Sequence, residues 1–100
     1  MKRSPIKRSN PARKRKRFAE AFGSRERVEA IRRTPCIVCG VVPSENAHVR
    51  SRGAGGTWRD VVPLCRDHHR EQHAGARTFE ANHNLDLATL AAHFAQEITP

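Results

Sequence analysis

The apolar positions of this chain fall into a few short, separate patterns. Near its C-terminal end Leu87, Leu90, Ala91, Phe94 and Ile98 recur at i, i+3, i+4, i+7 and i+11, which predicts an amphipathic helix over about 86–98, after Asp86, with that stripe as core. A second helix is predicted from an N-cap at Ser24 to Arg33. Val28 and Ile31 form its buried side, Arg32 and Arg33 suit its negative end, and Thr34-Pro35 stops it. Just before it, Phe18, Ala19 and Phe22 share one face of a short helical turn that Gly23 can end. Between residues 36 and 65 the pattern shortens to strands and loops. Ile37-Val38, Val41-Val42, Ala47-His48-Val49 and Val61-Val62-Pro63-Leu64 are strand candidates, separated by Gly40, Pro43 and the run Gly53-Ala54-Gly55-Gly56. Asp67 is then expected to N-cap a helix reaching about Ala74, with Gly75 beyond its end. The whole reads as a small α+β domain without internal repeats.

Charge divides this picture in two. The chain has 100 residues and a formal net charge of +9, a size that fits one domain with a small core. Residues 1–17 carry nine basic side chains and no acidic one, whereas residues 18–100 carry ten arginines against ten carboxylates. The first segment also mixes Pro, Ser and Asn with its like charges, so it is expected to be a disordered basic arm, with the folded domain over 18–100. Its Arg13, Lys14, Arg15, Lys16 and Arg17 are candidates for DNA phosphate contact. No apolar run approaches the roughly 18 residues of a membrane span, and the basic N-terminus lacks the apolar stretch of a secretory signal. A cytoplasmic monomer with no membrane partner is the expectation. Three cysteines cannot all pair within one chain, which favours metal ligation.

Two constellations carry the candidate chemistry. Cys36-x-x-Cys39 followed by Cys65-x-x-His68 offers two knuckles, each placing two soft donors on one side of a tight turn, as a structural Zn²⁺ requires. His69 and His73 lie four apart on the helix after Asp67, so they share a face and can bind one divalent ion together. His48 precedes a Gly-rich loop, and strand, loop, strand and helix would bring it opposite that pair. A free histidine beside a two-histidine metal site pairs a base with a Lewis acid. Trp58 is expected to pack under the loop, His83 and His93 to be surface or helix-packing residues, and Glu71 to face away from the metal pair.

The stretch CIVCG, followed by AHVRSRGAGGTWRDVVPLCRDHHREQH, resembles an HNH nuclease of the ββα-metal class, within the zinc-stapled subgroup. It is most similar to the phage recombination-enhancement nuclease family, Ref, and related prophage HNH proteins. The motif core runs over 36–75, and the similarity continues through RTFEANHNLDLATLAAHFAQE; the basic arm lies outside it. The resemblance implies a metal-dependent DNA endonuclease of a phage or prophage in a bacterial host cell. His48 then takes the position of general base, Asp60 that of the central residue that stiffens the loop and orients the base, and His69 and His73 those of ligands to a catalytic divalent ion, Mg²⁺ by family behaviour. Hydrolysis leaving 5′-phosphate and 3′-hydroxyl ends follows from the same likeness.

Two positions depart from the family pattern. Asp60 stands where Asn is usual, and Ala47 where many members carry a metal-binding Asp or His just before the base. With two protein ligands on the catalytic ion, substrate phosphate and water must complete its shell, and metal binding without DNA is expected to be weak. Arg50, Arg52 and Arg59 flank the Gly-rich loop and are candidates for holding the DNA backbone. Two other readings share the zinc site and the basic arm: a zinc-stapled DNA-binding module that does not cut, and an accessory factor that acts only with RecA-coated single-stranded DNA, as likeness to Ref implies.

Overall fold

The computed structural model describes residues 10–100. Two antiparallel strands, β1 (Glu45–His48) and β2 (Val61–Leu64), form the sheet, with Ala47 opposite Val62 and His48 opposite Val61. Among the described residues five α-helices accompany it: α1 (Pro11–Phe22), α2 (Arg25–Arg33), α3 (Arg66–Ala74), α4 (Ala76–His83) and α5 (Leu87–Glu97). The loop between the strands holds two 3-10 turns, Arg52–Ala54 and Trp58–Asp60, and α3 follows β2 after one residue. Strand, loop, strand and helix thus form the central unit, and the domain is a small α+β fold.

Every residue of β2 is buried, as a strand covered on both faces must be. Val62 and Leu64 pack with Ala47, Phe79, Leu87, Ala91, Cys36 and Cys65 into one core, flanked by Leu90 and Phe94 of α5. The apolar stripe predicted for the last helix therefore faces the sheet, and Asp86 caps it by accepting from Thr89 N at 3.1 Å. Ser24 likewise accepts from Arg27 N at 3.0 Å to start α2.

Arg27 itself is almost fully buried. It donates to Ile98 O and Phe94 O at the end of α5 and lies over the Trp58 ring, while Arg59 lies over the same ring. Trp58 is therefore a packing residue, and Arg27 ties α2, the loop and α5 together. Burial away from water holds the Arg27 guanidinium below its ordinary pKa.

The structure corrects four expectations. Residues 11–17 are not a disordered arm but the first part of α1, continuous with the turn at Phe18. Asn10 Oδ1 accepts from Ala12 N at 2.9 Å, Pro11 occupies the first turn, and the Ala, Arg and Lys that follow are strong helix formers. Residues 1–9, the rest of the expected arm, lie outside the described residues. Ile37-Val38 and Val41-Val42 form a tight turn instead of strands, closed by Gly40 N to Cys36 O and Cys36 N to Val41 O at 2.9 and 3.0 Å. Gly40 takes φ +75° there, which favours glycine. Helix α3 starts two residues earlier than expected, with Cys65 as N-cap and Asp67 inside the first turn, where its charge suits the helix dipole. Finally, α4 was not foreseen in the sequence; Phe79 alone anchors it in the core, and no side chain caps its start.

Candidate metal centre and catalytic cleft

The first centre gathers the two knuckles. The ligand atoms of Cys36, Cys39, Cys65 and His68 all lie within 4.8 Å of one another, close enough to hold a metal ion. Cys39 Sγ is 3.8 Å from Cys65 Sγ, and His68 Nδ1 is 3.6 Å from Cys36 Sγ and 3.2 Å from Cys65 Sγ. Zn–S bonds of about 2.3 Å in a tetrahedron put sulfurs about 3.8 Å apart, so the donor set and its spacing fit a structural Zn²⁺. Cys36 and Cys65 are buried and Cys39 is exposed.

The protein prepares negative charge at this point. Burial alone would raise the Cys36 thiol, yet backbone N–H groups of Cys65, Cys39 and Val38 and the Cys39 side chain bring its pKa down to about 6. Burial raises the Cys65 thiol, with the neighbouring cysteines adding to the rise. One thiolate is thus favoured before a metal arrives, and a cation is needed to stabilise further ones.

The second centre is a cleft of about 450 Å³ whose lining includes His48, Arg52, His69, Gln72 and His73. His69 Nε2 and His73 Nε2 are 3.2 Å apart, within the roughly 2.9–3.4 Å that two imidazole nitrogens adopt around one metal ion. Glu45 Oε1 accepts from His69 Nδ1 at 2.8 Å, which fixes the tautomer and leaves Nε2 with its lone pair for a cation. This pair is open, with His73 exposed and His69 half-buried.

His48 stands at the end of β1 on the wall of the same cleft. Its Nε2–H donates to Ala21 O, at the end of α1, at 2.7 Å, so Nδ1 is left as the basic nitrogen. Desolvation lowers the His48 pKa; Arg52 and His69 act in the same direction, while the Ala21 hydrogen bond and Asp60 oppose it. The ring is therefore neutral at pH 7, as a proton acceptor must be.

The other expected site residues lie on the loop and on α1. Asp60 does stiffen the loop, since Oδ2 accepts from Thr57 N at 2.8 Å, but the partner of the His48 ring is the Ala21 carbonyl instead. Arg52 lines the cleft while donating to Gly56 O and pairing with Glu20 at 3.6 Å. Arg50 and Arg59 are exposed on the loop, and neither is among the cleft-lining residues. Arg13, Lys14, Arg15, Lys16 and Arg17 are all exposed on α1. Gly56 is required for close approach, because a Cβ there would meet the Arg50 carbonyl oxygen.

Three contributors went unnoticed in the sequence. Glu45 and the Ala21 carbonyl orient His69 and His48, and Gln72 Nε2 reaches His48 O at 3.4 Å. Glu71 does turn away from the cleft, but its carboxylate accepts from His83 Nε2 at 2.8 Å, and His68, Glu71 and His83 form a cluster behind the knuckle. His83 thus has partners that sequence spacing did not suggest. Only Glu45 had a visible cue, a carboxylate three residues before the candidate base.

Together these observations define a small α+β domain with a Cys₃His metal-ligand cluster and a second, open cleft lined by histidines. Residues 11–99 match the family described as Protein of unknown function (DUF968), and the chain belongs to that family. It is also similar to the Uncharacterized protein YdfU of Escherichia coli (strain K12), with 32% identity over 62 residues, 57% of this chain and 18% of that protein. The match therefore spans less than a fifth of the relative's length. No solved structure matches. Among the described residues, no helix is long and apolar enough to cross a membrane.

Proposed function

We propose that this protein is a metal-dependent DNA endonuclease that hydrolyses phosphodiester bonds in the manner of HNH nucleases, with the Cys₃His cluster holding a structural Zn²⁺. The observation that carries this reading is the shared cleft, where a neutral His48 with its Nδ1 available lines the same walls as two convergent imidazole nitrogens. The ββα order of the central unit and the exposed basic helix α1 agree with it.

His48 Nδ1 would take a proton from the attacking water, while the Nε2–H to Ala21 O bond holds the ring and becomes stronger as the ring gains charge. Glu45 would keep His69 Nε2 turned to the metal side. A divalent ion bound by His69 and His73, Mg²⁺ or another, would supply positive charge for the scissile phosphate and the leaving 3′ oxygen. Arg52, which lines the same cleft as His48, would meet a phosphate oxygen.

The test is plasmid cleavage by purified protein with Mg²⁺ or Mn²⁺, beside His48→Ala and His69→Ala. Cleavage by the wild type that both variants lose by at least about 100-fold is the expected result. An intact plasmid in every reaction, with and without RecA-coated single strands, would leave a zinc-stapled DNA-binding module. Cutting that appears only with the coated strands would mark a partner-dependent factor.

A further inference from the structure

Helix α1 does more than display charge. Phe18 is 38% exposed, a large apolar ring left open directly after the five exposed cations Arg13 to Arg17. Lys14 and Arg15 stand one turn before it on the same helical face. With Ser24 and Arg25 at the start of α2 they line a depression of about 490 Å³ around the ring, and no acidic residue is in its lining.

The ring is also the outer member of a series. Phe18 and Phe22 have centroids 5.5 Å apart, and Phe22 and His48 have centroids 5.2 Å apart. An aromatic path of three side chains thus leads from the cation-lined depression to the candidate general base.

We propose that this depression is a stacking site for an unpaired nucleobase of DNA, so that the enzyme acts on strands with single-stranded character beside the bond it cuts. The choice of occupant follows from complementarity. Every base has a π-face to lay on Phe18, and each base in a strand brings phosphates on either side for Lys14, Arg15 and Arg25. A base inside intact duplex cannot present that face, so the site would discriminate unpaired from paired DNA without reading sequence. This inference specifies the substrate of the endonuclease proposed above, but stacking itself requires no cleavage.

Binding can therefore be measured in the absence of added divalent ion, using the zinc-loaded full chain. The probes are a plain duplex, the same duplex with one unpaired 2-aminopurine, the same with an abasic residue at that point, and a matching single-stranded RNA. Wild-type protein is expected to bind the 2-aminopurine DNA roughly tenfold more tightly than the abasic or plain duplex and to quench its fluorescence. Phe18→Ala should remove that preference while leaving plain-duplex affinity within about twofold, and Phe18→Trp should keep it; circular dichroism checks that each variant is folded. Equal binding of the base and abasic probes, or a preference that survives Phe18→Ala, would overturn the stacking site. Tighter binding of the RNA would overturn the assignment to DNA. A preserved preference in a protein that, with Mg²⁺ or Mn²⁺ added, cuts neither plasmid nor the unpaired-base duplex, with and without RecA-coated strands, would retain the stacking site and reject the endonuclease.

Discussion

The two centres share helix α3 and differ in almost everything else. His68 and His69 are neighbours in sequence, yet consecutive helical residues diverge by about 100°, so one completes the sulfur cluster and the other faces the open cleft. The knuckle has four donors, two of them buried cysteines, and its electrostatics favour a thiolate. The cleft has two convergent donors, one exposed, and the His48 ring on the same wall. Full protein ligation leaves a metal no position for substrate, whereas an incomplete shell leaves several. One short helix thus separates a folding site from a candidate reaction site, and substitutions at adjacent residues should report different properties.

The largest effect is expected at the knuckle. Cys65→Ala removes a buried ligand at the N-cap of α3, so one change weakens metal binding and helix start together. Structural zinc sites contribute apparent binding free energies of about 10–16 kcal/mol, comparable with the whole stability of about 5–15 kcal/mol of a domain this size. The variant should lose its zinc and its cooperative thermal transition, read by metal analysis and circular dichroism. A folded, zinc-loaded Cys65→Ala protein would break the distinction between the centres.

At the cleft the same kind of truncation should leave the fold alone. His69→Ala and His73→Ala are expected to lower cleavage by at least about 100-fold while thermal midpoints move by only a few degrees. Glu45→Gln sharpens the comparison, because it keeps a hydrogen-bond acceptor for His69 Nδ1 but removes the charge. It should weaken the apparent affinity for the divalent ion by about tenfold, the lower end of what outer-shell substitutions cost. An unfolded His69→Ala chain would mean that the cleft pair is structural as well.

The unequal legibility of these regions in the sequence has a physical basis. Cys36, Cys39, Cys65 and His68 are legible because metal chemistry demands local spacings, and the closeness of His69 and His73 is legible because residues four apart share a helix face; both survive without knowledge of the fold. Helices α2 and α5 were readable from Ser24 and Asp86 as caps and from their apolar stripes. The orientation of His48 was not, because its partner is a backbone carbonyl 27 positions away and any residue could supply it. Helix α1 is hidden because a run of like charges matches a disordered arm as well as it does a helix, and the Asn10 cap and the helix propensity of the residues after Pro11 decide between them. In α4 a single large apolar residue, Phe79, and an uncapped start leave no periodic signal.

Protonation offers a smaller, graded test. An ordinary histidine titrates near 6.5, and desolvation holds folded His48 below that value. The acid limb of cleavage should therefore lie below pH 6.5, measured at saturating divalent ion, since protonated His48 cannot accept a proton. Stability carries the same sign. Above pH 6.5 the ring is neutral in both the folded and unfolded chains and stability is full; as pH falls the unfolded chain takes up the proton first, so the His48 contribution is lost toward the lower folded pKa. An activity limb above pH 6.5 would remove His48 from the role of base.

The smallest effect belongs to α1, and it bears on how binding and reaction are joined. Lys16 is exposed and lines neither the stacking depression nor the cleft. If it neutralises one phosphate, Lys16→Ala should reduce the slope of log affinity against log salt by about 0.9, which is up to about eightfold in affinity near 0.1 M salt. Its rate at saturating DNA should match the wild type. Removing residues 1–17 is a different experiment, because the cut falls inside α1 and leaves only the turn that carries Ala21. That deletion should lower both affinity and the saturated rate, since the carbonyl that holds His48 depends on the helix it ends. A truncated protein with weakened binding and an undiminished saturated rate would show that α1 recruits DNA without supporting the base.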